Sequence, residues 1–333
     1  MVDLVVVGAG PAGLAAAVHA GASGRSTVVV EAATIGGQAV TVSLVRDYPG
    51  FPEGVSGLEL MQRLYQQAVG LKVAFVQERV VALDQAPGER RVRLGNGEEM
   101  RCRTLLVATG AAVRRFGIQA VDKLAGVGVH YGNSVADLAG MTGEDVVVTG
   151  GDDAVGQAAL ALARYATNVT LVLRGALDAT LSPALVAAVD RTRNIRVRVN
   201  TQVVDGFGES RLEGVVVRHR VSGTTEAVRA RALYALLGAE PGSAWLKGLL
   251  TQDARGYLVT GPDLGRVGPT GDWPLERAPL LLETSLSGVF AAGDVRHDTV
   301  KQISVALIEG AFAGMLATRY LQEMSTVPVA APR

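Results

Sequence analysis

The sequence predicts an α/β protein with two Rossmann-type domains, each a three-layer ββα arrangement, in which the first domain is discontinuous and the second is inserted into it. The chain has 333 residues, and single hydrophobic cores rarely grow beyond about 250 residues. A plan of strand, glycine turn, Ala-rich helix and second strand occurs twice, which indicates two dinucleotide-type folds in tandem. Glycine is frequent, with 41 residues against 5% aromatic residues, as tight turns and close approaches to a ligand require.

The first dinucleotide element opens the chain. A strand at residues 4–7 leads into the glycine turn 8–13, which matches GxGxxG directly after a strand and before a helix, as that pattern requires. Gly8 makes the turn, Gly10 lets backbone N–H groups approach a pyrophosphate, and Gly13 allows the helix to pack closely on the strand. The N-terminus of this helix supplies positive potential, so the turn predicts a dinucleotide site.

Glu31 ends the second strand of this element, residues 27–30. It lies about 20 residues beyond the turn, where a carboxylate accepts hydrogen bonds from an adenosine ribose and repels a 2′-phosphate. The first site is therefore predicted to prefer FAD or NAD over NADP.

A β-meander is expected next. Residues 72–85 and 90–106 have the pattern of short strands joined by turns, and Asn96-Gly97 is a strong hairpin signal because both positions tolerate positive φ. Thr109 and Gly110 then close a buried strand, LLVATG, where the chain leaves the first domain.

The second dinucleotide element repeats the plan of the first. A strand at residues 145–148 precedes the turn 149–153, an Ala-rich helix, and a strand at 168–173 that ends in Arg174. An arginine at this place can pair with a 2′-phosphate. The candidate NADP contacts are Gly150, Gly151, Asp153 and Arg174.

Strand and turn patterns return after residues 238–241, and VFAAGD precedes a final helix from about 301 to 320. The first domain is therefore expected to comprise residues 1–113 and 241–333. The inserted domain is expected to comprise residues 114–240.

Four separated segments resemble the low-molecular-weight thioredoxin reductase family over essentially the full length: GAGPAGLAAA, IGGQAVTVSLVRDYPGFP, LLVATGA and GVFAAGDVRHDTVKQIS. Branches of that family without a redox dithiol share a run similar to LETSLSGVFAAGDVRHDTVK. The resemblance implies that the discontinuous domain binds FAD and that the inserted one is of the NAD(P) type. It implies cofactor contacts at Gly8, Gly10, Pro11, Ala12, Gly13, Glu31, Gly36, Gly37, Gln38, Asp47, Thr109, Gly110, Gly293, Asp294, Gln302 and Ile303.

The resemblance also assigns roles to some of these residues. Residues 36–38 would lie along the flavin, and Asp294 would take a ribityl hydroxyl. Gln302 and Ile303 open the last helix, whose N–H groups would stabilise the anionic reduced ring. Asp47 stands where the family usually has a flavin-contacting Asn, and a carboxylate there would oppose reduction unless it is protonated or paired.

The CxxC pair of the family has no counterpart here. Its positions match Gly132 and Val135, with Asn133 and Ser134 between them, and the chain has a single cysteine, Cys102. No thiolate can attack a disulfide at the matching positions. We therefore expect an FAD-dependent oxidoreductase that acts on a non-disulfide substrate and is not a thioredoxin reductase.

The second glycine turn also departs from the family, whose pattern is GGGDSA. We place Asp152 where the family has the glycine that approaches the pyrophosphate. An ionised carboxylate there would repel a phosphate by about 1 to 4 kcal/mol at about 4 Å. NADPH binding is therefore expected to be weak.

Three functions stay open at this stage. In one, NADPH reduces the flavin, which passes electrons to ferredoxin, a quinone or a small molecule, and Arg174 favours this. In another, a small organic substrate reduces the flavin and O₂ or another acceptor reoxidises it, which Asp152 favours. A third is a non-enzymatic redox sensor.

His297 and His130 are the candidate acids or bases, because histidine titrates near neutral pH.

Composition limits the partners and the compartment. The 32 basic and 32 acidic residues give zero formal charge, and no long basic run occurs, so we expect no nucleic acid. Neither a run of about 18 apolar residues nor an export signal is present, so we expect no membrane span and a cytoplasmic protein. We expect a homodimer with a small-molecule substrate or an electron-transfer partner. A lone Cys102 excludes a metal site that needs two thiolates, and we expect no metal.

Overall fold

A computed structural model describes residues 1–86, 88–132, 138–267, 273, 275 and 277–326. The chain divides into two compact units, of which unit 1 comprises Met1–Ala111 and Pro241–Arg333 and unit 2 comprises Ala112–Glu240. Both units contain parallel sheets flanked by helices, and the predicted α/β fold is confirmed.

Within the described residues, the following strands and helices of unit 1 come first, and the last of them crosses into unit 2. They are β1 (Val2–Val7), α1 (Pro11–Ala22), β2 (Thr27–Glu31), α2 (Gly57–Gly70), β3 (Ala74–Gln77), β4 (Val80–Ala86), β5 (Glu89–Leu94), β6 (Glu99–Val107) and β7 (Ala111–Val113).

Unit 2 and the return to unit 1 supply the remaining elements. They are α3 (Gln119–Asp122), β8 (Val129–Tyr131), β9 (Asp145–Gly150), α4 (Asp153–Leu162), β10 (Asn168–Leu173), α5 (Leu177–Thr180), α6 (Pro183–Arg191), β11 (Ile195–Arg198), β12 (Thr201–Phe207), β13 (Gly214–His219), β14 (Thr225–Arg229), β15 (Ala232–Leu236), β16 (Ala239–Pro241), α7 (Leu264–Val267), β17 (Val289–Ala291) and α8 (Ile303–Thr326).

The sheet of unit 1 has the order β3-β2-β1-β6-β5-β4, with β17 paired to β6. The last four residues of β1 are buried, as expected for a parallel strand that is covered on both faces. Val7, the last residue of β1, lies opposite Val30 of β2 and Val107 of β6. Since parallel strands end at the same edge of a sheet, the segments that follow these three strands meet there.

Helices α1 and α8 pack on each other through glycine. A Cβ at Gly310 would stand 2.0 Å from the carbonyl oxygen of Ala12, and one at Gly314 would stand 2.7 Å from that of Ala16. No side chain fits at such distances, so these glycines allow the two helices to touch. Their contact holds the N-terminal ends of both helices at the same edge of the sheet.

The β-meander expected after α2 is formed by β4, β5 and β6, which pair antiparallel. Gly97 has φ +88°, which fits the predicted Asn96-Gly97 turn. The final helix begins at Ile303, two residues later than expected, and continues to Thr326.

Unit 2 has a five-stranded parallel sheet in the order β11-β10-β9-β15-β8 and a separate antiparallel sheet, β12-β13-β14. Helix α4 follows β9 and packs with α6 over the parallel sheet. Of the residues matched to the CxxC pair and its interior, Gly132 is described, whereas Asn133, Ser134 and Val135 lie outside the described residues. Within the described part of the chain, no helix combines the length and the apolar character that crossing a membrane requires.

Candidate functional site

A cavity of about 450 Å³ lies in unit 1 at the carboxyl edge of its parallel sheet. Most of the predicted cofactor residues line it, whereas Gly13, Gly36 and Asp47 are not among the lining residues. The predicted residues in the lining are Gly8, Gly10, Pro11, Ala12, Glu31, Gly37, Gln38, Thr109, Gly110, Gly293, Asp294, Gln302 and Ile303.

The first glycine turn has the geometry that a pyrophosphate needs. Gly8 has φ +105°, and a Cβ there would stand 2.4 Å from the carbonyl oxygen of Ala108. A Cβ at Gly13 would stand 1.8 Å from the oxygen of Gly8, whereas one at Gly10 would meet nothing within 4 Å. Gly10 therefore borders open space, and its missing side chain leaves room for a ligand. Helix α1, which Gly10 caps, has no side-chain N-cap, so its first N–H groups can bind an anion.

Glu31 ties the end of β2 to this turn. Its Oε2 accepts the N–H of Ala9 at 2.7 Å, and its Oε1 accepts the N–H of Ala33 at 2.8 Å. A carboxylate has about four acceptor positions. Each oxygen of Glu31 can thus still accept a ribose hydroxyl while it holds the turn in place.

The segment after β2 returns to the same turn. Gly36 has φ +96°, and its N–H donates to the oxygen of Ala9 at 2.7 Å. A Cβ at Gly37 would stand 3.3 Å from the Cα of Gly10. The Gln38 amide donates from Nε2 to the carbonyl of Ala111 at 2.7 Å, so its orientation is fixed.

The loop after β17 forms the opposite wall and is held by Glu309 of α8. This carboxylate accepts the N–H of Gly293 at 2.8 Å, Nη2 of Arg296 at 2.6 Å and the hydroxyl of Thr299 at 2.6 Å. Burial would raise the pKa of Glu309, but these hydrogen bonds and the charge of Arg296 outweigh it and hold the pKa below its usual range. The network fixes the loop that carries Asp294.

Lys301 is a cavity residue that the sequence analysis missed. Its Nζ donates to the carbonyl oxygen of Asp294 at 2.6 Å and lies 4.3 Å from the ring centroid of Tyr257. Burial lowers the pKa of Lys301, and the charges of Asp294 and Glu309 oppose that shift. Burial raises the pKa of Asp294, while Lys301 lowers it in part. The only sequence signal was a basic residue just before the final helix.

Asp47 is exposed and paired. Its Oδ2 accepts the hydroxyl of Ser304, the second residue of α8, at 2.7 Å. The carboxylate therefore lies beside the N-terminus of that helix, where negative charge is favourable.

Neither candidate histidine lines the cavity. His297 Nδ1 lies 2.7 Å from Oδ2 of Asp253, whose Oδ1 accepts the N–H of Arg255 at 2.8 Å and of Tyr257 at 2.9 Å. His130 belongs to β8 of unit 2 and stacks on Tyr234 with ring centroids 4.9 Å apart. Their catalytic roles stay predictions.

The glycine turn of unit 2 differs from the arrangement expected from the sequence. Asp152 is the N-cap of α4 and accepts the N–H of Ala154 at 3.1 Å. Gly151, not Asp152, has the open surroundings of Gly10, since a Cβ there would meet nothing within 4 Å. The carboxylate of Asp152 folds back on the helix because short polar side chains compete for its free N–H groups. The expected loss of the glycine at the pyrophosphate position is therefore not observed.

The other candidate NADP contacts surround this turn. A Cβ at Gly150 would stand 2.6 Å from the oxygen of Leu236, so Gly150 serves close strand packing. Asp153 accepts the N–H of Ser182 at 2.7 Å. Arg174 is exposed at the end of β10, and its carbonyl accepts Nη1 of Arg220 at 3.0 Å, which holds the backbone of Arg174 in place.

Cys102 lies in β6 with none of its surface exposed. Its thiol is 3.7 Å from the carbonyl oxygen of Arg90, and burial raises its pKa to about 12. Since the thiolate is the reactive form, Cys102 is an inert core residue at neutral pH.

Comparisons with known proteins agree with this architecture. A family model described as pyridine nucleotide-disulphide oxidoreductase matches residues 2–310. A thioredoxin reductase of Mycolicibacterium smegmatis is 30% identical over 321 residues, covering 96% of this chain and 97% of that protein. NADPH-dependent thioredoxin reductase 3 of Arabidopsis thaliana is 30% identical over 327 residues, covering 96% of this chain and 58% of that protein. The thioredoxin reductase structure from Streptococcus pyogenes matches with TM-score 0.83 and 26% identity, covering 97% of this chain and 99% of that one.

These comparisons correct the expected function. The prediction of a non-disulfide substrate, and of a protein that is not a thioredoxin reductase, is wrong, because relatives about 30% identical over almost the whole chain are named thioredoxin reductase. The same finding contradicts the two alternatives. One was a reductase of ferredoxin, a quinone or a small molecule, and the other was a non-enzymatic sensor. The expected small-molecule substrate is wrong as well. The absence of a dithiol in this chain does not exclude a disulfide substrate, because the substrate itself contains both sulfur atoms of the disulfide.

Proposed function

The chain belongs to the pyridine nucleotide-disulphide oxidoreductase family, and from this premise we propose that it is an FAD-dependent disulfide oxidoreductase that exchanges electrons with a partner's sulfur pair. It is an oxidoreductase and a flavoprotein of the thioredoxin reductase type, a group that binds FAD and uses NADPH.

The observation that carries the proposal is the cavity of unit 1, and we assign it to FAD. The uncapped N-terminus of α1 and the open space at Gly10 suit the pyrophosphate. Glu31 keeps free acceptor positions for the ribose. Bound FAD supplies a centre that accepts or releases two electrons. Gln302 and Ile303 line the cavity where α8 begins, and the N-terminus of that helix would stabilise negative charge there.

Unit 2 is proposed to hold NADPH. Gly151 offers the open turn for the pyrophosphate, and Asp152 caps α4 without filling that space. Arg174 stands exposed at the end of β10, where a guanidinium can pair with the 2′-phosphate. In this proposal unit 1 is the FAD-binding domain and unit 2 is the NAD(P)-type domain.

The sulfur chemistry of the proposal follows from the cysteine content. The chain has one cysteine, and it is buried with a raised pKa, so it cannot form a dithiol relay. We propose that both sulfurs belong to the partner, a protein with a disulfide of the thioredoxin kind. The disulfide takes up two electrons and two protons to become a dithiol; bound FAD in its anionic reduced form would supply the two electrons and one proton, and the second proton would come from solvent. The reverse direction balances in the same way.

A turnover experiment tests the proposal. Purified protein with FAD is given NADPH and oxidised thioredoxin, and the release of partner thiols is followed by a colorimetric thiol reagent. We expect thiols to form at the same rate in wild type and in Cys102→Ser, with two thiols for each NADPH consumed. No thiol release above that of free FAD would refute the proposed function.

We further propose that the protein is a cytoplasmic homodimer. Ile308 and Met315 lie on one face of α8 and are 66% and 42% exposed, and exposed apolar groups of this size favour association. Analytical sedimentation of wild type and of Ile308→Glu tells a dimer from a monomer. A monomeric wild type would contradict the proposed dimer.

A further inference from the structure

The ammonium group of Lys301 lines the cavity of unit 1 without forming an ion pair with any carboxylate that the structure describes. Its Nζ donates to two backbone carbonyls, those of Asp294 at 2.6 Å and of Arg296 at 3.4 Å. The nearby carboxylate of Glu309 is bonded to Arg296 and Thr299 instead. Among the described residues, the direct contacts of the Lys301 ammonium are thus neutral dipoles and the ring of Tyr257, while the carboxylates of Asp294 and Glu309 attract it from beyond ion-pair distance.

An ammonium group in a partly buried place normally has a counter-charge, because its removal from water is costly. Lysine has three N–H donors, and the two carbonyls take two of them. Burial lowers the pKa of Lys301 in spite of the carboxylates around it. Lys301 therefore keeps one N–H donor and a charge that no described carboxylate contacts directly, next to the space where a ligand binds.

The position of Lys301 limits which anion could supply this charge. Lys301 comes two residues before α8, and the N-terminus of that helix adds its own partial positive charge to the same part of the cavity. The pyrophosphate already has a place at the uncapped N-terminus of α1, beside Gly10. The remaining N–H donor and the charge of Lys301 thus suit a second anionic part of the bound molecule.

We propose that Lys301 provides the counter-charge for the anionic reduced flavin ring and so raises the reduction potential of the bound FAD. The inference rests on the assignment of the cavity to FAD. The ring takes up two electrons and one proton on reduction and gains one negative charge, while Lys301 keeps its proton. The ammonium thereby stabilises the reduced ring more than the neutral oxidised one.

The test compares the redox equilibrium of FAD in holoprotein variants. Lys301→Met removes the charge at similar length, Lys301→Arg keeps it, and Lys247→Met removes an exposed lysine of unit 1 as a matched control. Each variant is reduced anaerobically together with a reference dye of known potential. We expect Lys301→Met to shift the ratio of oxidised to reduced FAD at least tenfold toward the oxidised form, which is about 30 mV for two electrons. Lys301→Arg and Lys247→Met should stay within about threefold of wild type.

The affinity for oxidised FAD separates this role from a contact with the pyrophosphate. It is measured for the same variants by fluorescence titration of the apoprotein, and we expect Lys301→Met to change it by less than about threefold. Weaker binding of oxidised FAD with an unchanged redox ratio would place the charge on the pyrophosphate and overturn the inference. Should Lys301→Met lose FAD or unfold, Lys301→Gln is used for the same comparison. An unchanged ratio of oxidised to reduced FAD in Lys301→Gln would also overturn the inference. A wild type that binds no FAD would instead refute the proposed function.

Discussion

The carboxylate of Asp152 accepts the backbone N–H of Ala154 at 3.1 Å and thereby caps helix α4. This contact changes what its charge can do to a bound nucleotide. The side chain is exposed to solvent, and water reduces a repulsion at about 4 Å to about 1 kcal/mol. In this turn the open space lies at Gly151, where a Cβ would meet nothing within 4 Å.

Replacement of Asp152 by Asn should therefore have a small effect on nucleotide binding. Asn keeps the N-cap and removes the charge, so we expect NADP⁺ to bind at most about fivefold more tightly, measured by calorimetry. Asp152→Ala is the control for the cap and should lower the unfolding free energy by about 1 kcal/mol. A gain of tenfold or more in Asp152→Asn would mean that the carboxylate does face the phosphates.

The two open glycines predict a reciprocal pair of effects. A methyl group at Gly10 or at Gly151 would enter free space without a clash, so both alanine variants should fold. We expect Gly10→Ala to weaken FAD binding at least about tenfold and to leave NADP⁺ binding unchanged, because the methyl occupies the place of the pyrophosphate. Gly151→Ala should weaken NADP⁺ binding and leave FAD binding unchanged. Fluorescence titration of each ligand measures both, and equal effects of either variant on both ligands would refute the assignment.

Arg174 should determine the preference between the two nicotinamide nucleotides. An exposed guanidinium that meets a 2′-phosphate contributes on the order of 1.5 kcal/mol, the low end of charge-assisted hydrogen bonds. We therefore expect Arg174→Gln to lower the affinity for NADP⁺ about tenfold and that for NAD⁺ little. Arg218→Gln, which removes an exposed arginine of β13, is the matched control. If both variants bind NADP⁺ like wild type, the 2′-phosphate lies elsewhere.

The buried thiol predicts a pH effect on stability. Burial raises the pKa of Cys102 from 9.0 to about 12, so the unfolded chain ionises first as the pH rises. Linkage then requires that the contribution of this group is fully present below about pH 9 and is lost between about pH 9 and 12. Urea unfolding should show a smaller pH-dependent loss in Cys102→Ala than in wild type over this range. A native thiol that reacts readily with a disulfide reagent at pH 8 would contradict its burial.

Much of the FAD turn could be predicted because its function depends on local geometry. Gly8 and Gly13 stand where only hydrogen fits, and Glu31 ends the next strand, so sequence spacing alone identifies them. The place of Asp152 could not be predicted from the sequence, because the adjacent Gly150 and Gly151 allow two alignments with the family's glycine pattern. The N-cap contact of Asp152, which only the structure shows, decides between them. Lys301 was missed because its role depends on contacts with Asp294 and Tyr257 that only the folded loop brings together.

The substrate class was the largest error, and its cause is physical. The chain has a single cysteine and no thiolate at the positions of the family's CxxC pair, from which we expected a non-disulfide substrate. A disulfide can also be reduced when both sulfurs belong to the partner, and no local pattern in the chain reports that. Relatives over almost the whole chain supplied the missing information.

The central claim is that electrons pass between FAD and the disulfide of a partner with no dithiol of this chain between them. An anaerobic reductive titration tests it most directly, because FAD alone stores two electrons and FAD with an internal dithiol stores four. We predict that the holoprotein takes up two electrons per FAD and that oxidised thioredoxin then removes both, with two partner thiols formed. Uptake of more than two electrons per chain, or reduced FAD that oxidised thioredoxin leaves unchanged, would contradict the claim.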